Sequence, residues 1–224
     1  MPTEARLKKL RDVAERRQPG LTIVVEDVFD PHNMGAIARS CDAFGIQEIN
    51  VIFETQPAFD PKQAGKNSST ATNKWLNYRI HHSTEAALQN LKREGWQLVA
   101  TVLDPAAEPI YAADFCHPRI ALLFGNEKTG LSPRAIALAD TRVTIPMLGI
   151  AQSMNVSVSA ALAIYEVTRQ RRERCPEALQ PSAGEIERNF AYLLDMHERH
   201  NKRNKRLRKE RAKARSAESR SQGQ

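Results

Sequence analysis

Short strand-like runs, β-branched at 21–25 and unbroken apolar at 120–124, recur at residues 48–53 and 97–103, with shorter ones at 78–81 and 143–145, and segments of helical periodicity lie between them. An apolar run of four to eight residues without polar alternation is covered on both faces, and such strands separated by helices form a parallel sheet between two helical layers. The sequence therefore predicts an α/β fold, a parallel sheet covered by helices on both faces. Local chemistry marks the helix boundaries. A helix over residues 33–44 ends at Gly45, placed as a left-handed C-terminal cap. Ser83 is the cap candidate for a helix over 85–93 that Gly95 closes, and Ser132 with Pro133 opens a helix through residue 139. A long helix is predicted over 153–174, capped by Gln152 or Ser153, with small residues Ser157, Ala160 and Ala161 on one side and Pro176 as its stop.

The flanks differ from this body. Residues 5–17 read as an amphipathic helix with Leu7, Leu10 and Val13 along one side, and residues 185–200 as another helix, merging into a Lys/Arg-rich tail expected to be disordered without a partner. The predicted division is a basic N-terminal helical extension, 1–20, an α/β body, 21–175, and a basic C-terminal extension and tail, 176–224. Of the formal net charge of +7, residues 1–19 carry +3 and residues 197–224 carry +8, leaving −4 on residues 20–196. Basic ends on a mildly acidic body suit a polyanion such as nucleic acid, although a solvated, solubilising tail has the same composition. Arg169, Arg171, Arg172 and Arg174 either extend that basic surface or complement the dipole at a helix C-terminus. Cys41, Cys116 and Cys175 are odd in number and far apart, so reduced thiols are expected. With no apolar stretch of eighteen residues and no leader before a cleavage site, the expectation is a soluble, cytoplasmic protein with no membrane partner.

Most familiar site patterns are absent: no phosphate-binding loop of the GxxxxGK type, no GxGxxG after the first strand, no metal-spaced Cys/His cluster. His197 and His200 lie one helical turn apart without a third ligand, so they read as a solvated face and no metal site is expected. Polar residues 54–77 are too many for an ordinary connection and form a candidate functional loop. Three segments combine glycine with polar side chains at strand ends. In residues 31–40, Asn33 can cap the helix and Arg39, nearly two turns on, can present a guanidinium to a phosphate; an ordinary exposed arginine is the alternative. Residues 122–132 are a buried strand breaking into a glycine-bounded polar loop that lets a ligand approach the backbone. Residues 145–157 are an apolar loop, either core or cofactor cradle, before a helix start crowded with Ser and Asn.

Taken in order, NMGAIARS (33–40), FGNEKTGLS (124–132) and IPMLGIAQSMNVSVSAALA (145–163) resemble the three signature motifs of the SpoU/TrmH family of SPOUT RNA 2′-O-methyltransferases, over about residues 21–170. The resemblance implies a methyltransferase domain with a C-terminal trefoil knot, an exception to the unknotted rule. It also implies S-adenosylmethionine as methyl donor, held around Thr101, Gly125, Ile145 and Met154, and a homodimer in which Arg39 is supplied across the interface. Arg39 matches the position with the central catalytic role. Asn33, Glu127, Ser153 and Asn155 match the remaining polar positions. Asn33 and Asn155 would hydrogen-bond ribose or neighbouring loops, Ser153 would steady the helix start, and Glu127 would hold the Arg39 guanidinium or a loop amide. The short basic extensions on both sides of a compact body are most similar to the branch that methylates guanosine 18 in the D-loop of tRNA, with no DNA partner implied. The alternatives are another tRNA position, ribosomal RNA, or a knotted RNA binder without catalysis; the presence of Arg39, Glu127, Ser153 and Asn155 argues against the last.

Overall fold

The structure, a computed structural model, describes residues 2–64 and 72–221. Helix α1 (Glu4–Glu15) precedes strand β1 (Leu21–Glu26), α2 (Pro31–Ala43) and β2 (Glu48–Ile52). Then follow β3 (Asn77–His81), α3 (Thr84–Arg93), β4 (Gln97–Thr101), β5 (Glu108–Pro109) and β6 (Ile120–Phe124). Helix α4 (Pro133–Leu138), β7 (Thr141–Thr144), α5 (Val156–Arg174) and α6 (Ala183–Ser221) complete the chain. The strands form one sheet in the order β3-β2-β1-β6-β4-β7-β5, every pairing parallel. The two-residue β5, against Val143 and Thr144, is too short to leave an apolar run in the sequence, and its proline is tolerated at the sheet edge.

Alternate residues of the central strands β1, β4 and β6 feed two cores. Ile23, Val25, Leu122, Phe124 and Val99 meet Met34 and Ile37 of α2 and Ala160 and Ile164 of α5 on one face. Val24, Leu123, Leu98 and Ala100 meet Leu88 and Leu91 of α3 and Ala135 of α4 on the other. This two-sided burial explains the missing polar alternation. Ser83 and Ser132 cap α3 and α4 as predicted, accepting from the Ala86 and Ala135 amides, and Gly45 takes φ +78° after α2. Two predicted caps are corrected. Asp30, not Asn33, caps α2, accepting from the His32 amide; Asn155, not Gln152 or Ser153, caps α5, accepting from the Ser157 amide. Asn33 and Asn155 both belong to the site described below.

The two extensions pack on each other. Leu10 and Ala14 of α1 meet Leu193 of α6 in a third core, flanked by Phe190 and Trp75. Helix α6 runs on through Ser221 where the sequence reading expects disorder. Residues 185–221 contain no glycine or proline and are rich in Lys, Arg, Ala and Glu, all strong helix formers. Of the candidate loop 54–77, residues 72–75 form a 3₁₀ turn, and 65–71 lie outside the described residues.

The end of α5 holds two further corrections. Cys116 and Cys175 form a disulfide, with Cα atoms 5.8 Å apart, where reduced thiols were expected. A sequence separation of 59 residues conceals the pairing, which depends on the β5–β6 connection returning to the helix end. Cys41 is free and buried, and burial pushes its thiol up. Arg171 is fully buried: Nε donates to the Phe115 carbonyl at 3.2 Å, and the Nη groups to Pro19, Gly20 and His117 carbonyls at 3.2, 2.9 and 3.0 Å. Burial pushes its pKa down to about 10, which leaves it charged at neutral pH. Arg169 pairs with Glu166 and Glu173, and Arg174 with Asp114. Three of the four arginines read as a basic surface are therefore engaged within the chain.

Candidate active site

Neighbouring parallel strands β1 and β6 end at Glu26 and Phe124, and release the first two glycine-containing segments from the same edge of the sheet. Carboxyl ends of strands are where open α/β sheets place ligands. Four carboxylates and amides then set the loop shapes. Glu26, 3% exposed, accepts from Thr84 Oγ1 at 2.5 Å, Ser132 N at 2.8 Å and Ser132 Oγ at 2.7 Å, tying the end of β1 to the starts of α3 and α4. Asp27, at φ +51°, accepts from the amides of Glu54, Thr55 and Gln56 and from the Thr55 hydroxyl. Burial works against its ionisation, but these donors outweigh it and hold the carboxyl below its ordinary range.

The 125–130 segment folds back on itself, with Asn126 and Gly130 exchanging N–H···O bonds of 3.0 and 2.9 Å. A Cβ on Gly125 would fall 2.1 Å from the Gly130 carbonyl carbon and 2.2 Å from the Leu131 nitrogen, so no other residue fits. Asn126 Nδ2 donates to the Asp27 carbonyl at 2.8 Å, and its Oδ1 accepts from the Lys128 amide at 2.9 Å. Glu26, Asp27 and Asn126 are the functional supports that sequence reasoning missed. The available signal was charge, Glu26 and Asp27, directly after the β-branched run 21–25.

The three motifs are joined by one hydrogen-bonded relay. Glu127 Oε1 accepts from Asn33 Nδ2 at 2.7 Å and the Asp30 amide at 3.1 Å, and Oε2 from the Phe29 amide at 3.0 Å. Asn155 Nδ2 donates to Asn33 Oδ1 at 3.0 Å, while Asn155 Oδ1 accepts from Ser157 N and Oγ at 2.8 and 2.6 Å. Asn33, Glu127 and Asn155 are thus brought together, from residues as far as 122 positions apart. Burial opposes the Glu127 charge, but its donors prevail and hold the carboxyl below the usual range. Of the two tasks expected of Glu127, the structure shows the loop amides. Its charge also lies at the N-terminus of α2, where the helix dipole favours an anion.

Beside the relay lies a cleft of about 420 Å³ whose lining includes Thr101, Gly125, Ile145 and Met154, the four positions expected to contact a cofactor, together with Glu127 and Ser153. Its size and its mixture of apolar wall with a few polar groups suit a small molecule. Thr101 Oγ1 donates to the Leu123 carbonyl at 2.7 Å, which anchors the rim. Leu148 and Ile150 are fully exposed, so the middle of the 145–151 loop is not core, while Ile145 packs against the core edge. Arg39 is exposed on α2 and does not line the cleft. No group of His, Cys, Asp and Glu among the described residues is arranged to hold a metal; His197 and His200 instead hydrogen-bond Asn201 and Asn204.

Comparison with known proteins agrees with this geometry. The model of the SpoU rRNA Methylase family matches residues 20–165. The chain is 42% identical over 171 residues to the tRNA (guanosine(18)-2′-O)-methyltransferase of Thermus thermophilus, covering 75% of this chain and 84% of that protein. It is 36% identical over 167 residues to the enzyme of the same name from Escherichia coli K12, covering 75% and 71%. Among solved structures, the A. aeolicus TrmH/SpoU tRNA modifying enzyme superposes with a TM-score of 0.75 at 32% identity, covering 86% of this chain and 96% of that one. The SpoU methyltransferase AviRb from Streptomyces viridochromogenes, in complex with the cofactor AdoMet, superposes at 0.61 with 30% identity, covering 72% and 64%. The matched region contains the whole sheet, both polar loops and the start of α5, and by that match this chain belongs to the SpoU rRNA methylase family.

Proposed function

We propose that this chain transfers a methyl group from S-adenosylmethionine to the ribose 2′-oxygen of guanosine 18 in the D-loop of tRNA. The relay from Glu127 through Asn33 to Asn155, holding three separate motifs at the mouth of one cleft, carries this reading. The names of the relatives from T. thermophilus and E. coli, and the AdoMet complex of a structural neighbour, support it. Bound S-adenosylmethionine supplies a methyl group on a cationic sulfonium, open to attack by an oxygen. Thr101, Gly125, Ile145 and Met154 would hold it through backbone groups and apolar surface.

The chain's own residues then have positional work. Arg39 grips the phosphate beside the target ribose with its planar fork and orients the hydroxyl for in-line approach. Arg39 acts here through its planar charge alone, and the hydroxyl proton passes to solvent as the carbon–oxygen bond forms. Asn33 and Asn155 hold the two polar loops at a fixed separation, Glu127 fastens the entry to α2, and Ser153 lines the cleft. The active form is a homodimer in which Arg39 serves the partner's cleft. Val158, Leu162 and Tyr165, at i, i+4 and i+7 on α5, are 48%, 45% and 55% exposed and make an apolar stripe suited to a self-complementary interface. The family match over 20–165 also supports a trefoil knot in the C-terminal part of the body. Residues 21–175 perform the chemistry, and the extensions 1–20 and 176–224 dock the tRNA. The work is cytoplasmic, and no helix among the described residues is long and apolar enough to cross a membrane.

The test is transfer of labelled methyl to unmodified tRNA and ribosomal RNA, with mass-spectrometric mapping of the product. 2′-O-methylguanosine at position 18 is the expected outcome. Methylation elsewhere keeps the chemistry and overturns the substrate; no transfer to either pool overturns the reading.

A further inference from the structure

We propose that Phe29 is the platform on which the target nucleobase stacks, a positioning residue beside the methyl-transfer cleft. Phe29 is 65% exposed, although the preceding Val28 is 2% exposed and deep in the core. An aromatic ring in water is ordinary on a mobile surface, but this one is held: the Phe29 amide donates to Glu127 Oε2 at 3.0 Å, so the relay that shapes the cleft also fixes the ring's backbone. A second cavity, of about 710 Å³, shares residues 126–131 with the cleft and is lined by Phe29, Asp30, Asn33 and Lys128. The Lys128 ammonium lies 6.0 Å from the centre of the Phe29 ring, which places a cation beside the π-face. A rigid exposed aromatic next to a cation is the usual seat for an unstacked RNA base, with the ring taking the base and the cation the neighbouring phosphates or carbonyls. Enzymes that act on the ribose of a loop nucleotide need that nucleotide held still, and the sugar hydroxyl is the same in every nucleotide. The ring supplies the hold without reading the base edge.

This rests on RNA methyl transfer as proposed above, so the wild-type protein is assayed first with unmodified tRNA and S-adenosylmethionine. Absence of transfer overturns that reading and the stacking seat together. With transfer established, Phe29→Ala is expected to raise the KM for tRNA about five- to hundredfold, the range that one lost base–aromatic stack gives, with kcat changed far less. Phe29→Tyr restores the KM, because the π-face is kept. Phe29→Leu, apolar and of similar reach, does not. Affinity for S-adenosylmethionine by calorimetry and the melting temperature stay at wild-type values in all three variants. An unchanged KM in Phe29→Ala overturns the platform while leaving the function intact. So does recovery by Leu equal to that by Tyr, or a loss that tracks S-adenosylmethionine binding or oligomer dissociation, since each of these makes the side chain structural.

Discussion

Asn33 shows how much one side chain decides here. It donates to Glu127 and accepts from Asn155, and its amide does both from one planar group. Asn33→Asp replaces the donor with a second carboxylate 2.7 Å from Glu127, where two charges cannot both persist. The expected result is a fall in kcat/KM of roughly a hundredfold (about 2.7 kcal/mol) in methyl transfer at neutral pH, with part of the activity returning as the pH is lowered and the pair takes up a proton. Arg39 differs, because it lies outside the cleft lining and its work is on the substrate. Arg39→Ala is expected to abolish turnover while calorimetry finds S-adenosylmethionine affinity within a few-fold of wild type. Arg39→Lys is expected to be nearly as poor, since a point ammonium cannot reproduce a two-pronged grip on phosphate. Full activity in the alanine variant would overturn the role given to this residue.

Among the elements, those that local chemistry specifies are the ones legible in the sequence. The central strands show as apolar or β-branched runs, unbroken in β6, and Ser83, Ser132 and Gly45 fall at the ends they mark. What could not be read is set by partners distant in sequence. Asn33 and Ser153 are good cap residues by type, yet Asp30 and Asn155 hold those places, while the Asn33 side chain is committed to Glu127, 94 positions away. The site residues were legible as motif positions, but their mutual bonds were not. Arg171 is the clearest failure of composition as a guide: an arginine in a basic cluster is nonetheless 0% exposed and gathers four carbonyls from two separate segments. Together with the Cys116–Cys175 disulfide, it fastens α5 to the approaches of β1 and β6. Arg171→Lys keeps the charge and loses the fork, leaving buried carbonyls unpaired. A loss of about 3 kcal/mol in denaturant-unfolding stability with an unchanged m-value is expected; a loss under ~0.5 kcal/mol would show that water replaces the missing donors.

Over the whole molecule, the two basic ends form one structure, since α1 and α6 share a core at Leu10, Ala14 and Leu193 and an Arg11–Glu187 ion pair. Their cations therefore sum into one field. His197 and His200 register it: burial lowers both, and Arg6 and Lys74, which also flank the Trp75 ring, lower them further. A field of that sign, beside residues 20–196 of net −4, is one that attracts a polyanion to the two ends. The contacts holding α6 to α1 lie at or before Leu194, so a chain ending at His200 keeps that core and loses only the basic helix beyond it. Such a truncation is expected to bind tRNA more weakly and with a shallower dependence of log Kd on log salt, by about 0.7–0.9 for each phosphate contact removed. S-adenosylmethionine affinity should not move, because no residue of the cleft lining lies beyond Ser159. Equal slopes for the full and shortened chains would make residues 201–224 a solubilising tail, and would leave Arg6, Lys74 and their neighbours as the cations that meet the phosphates.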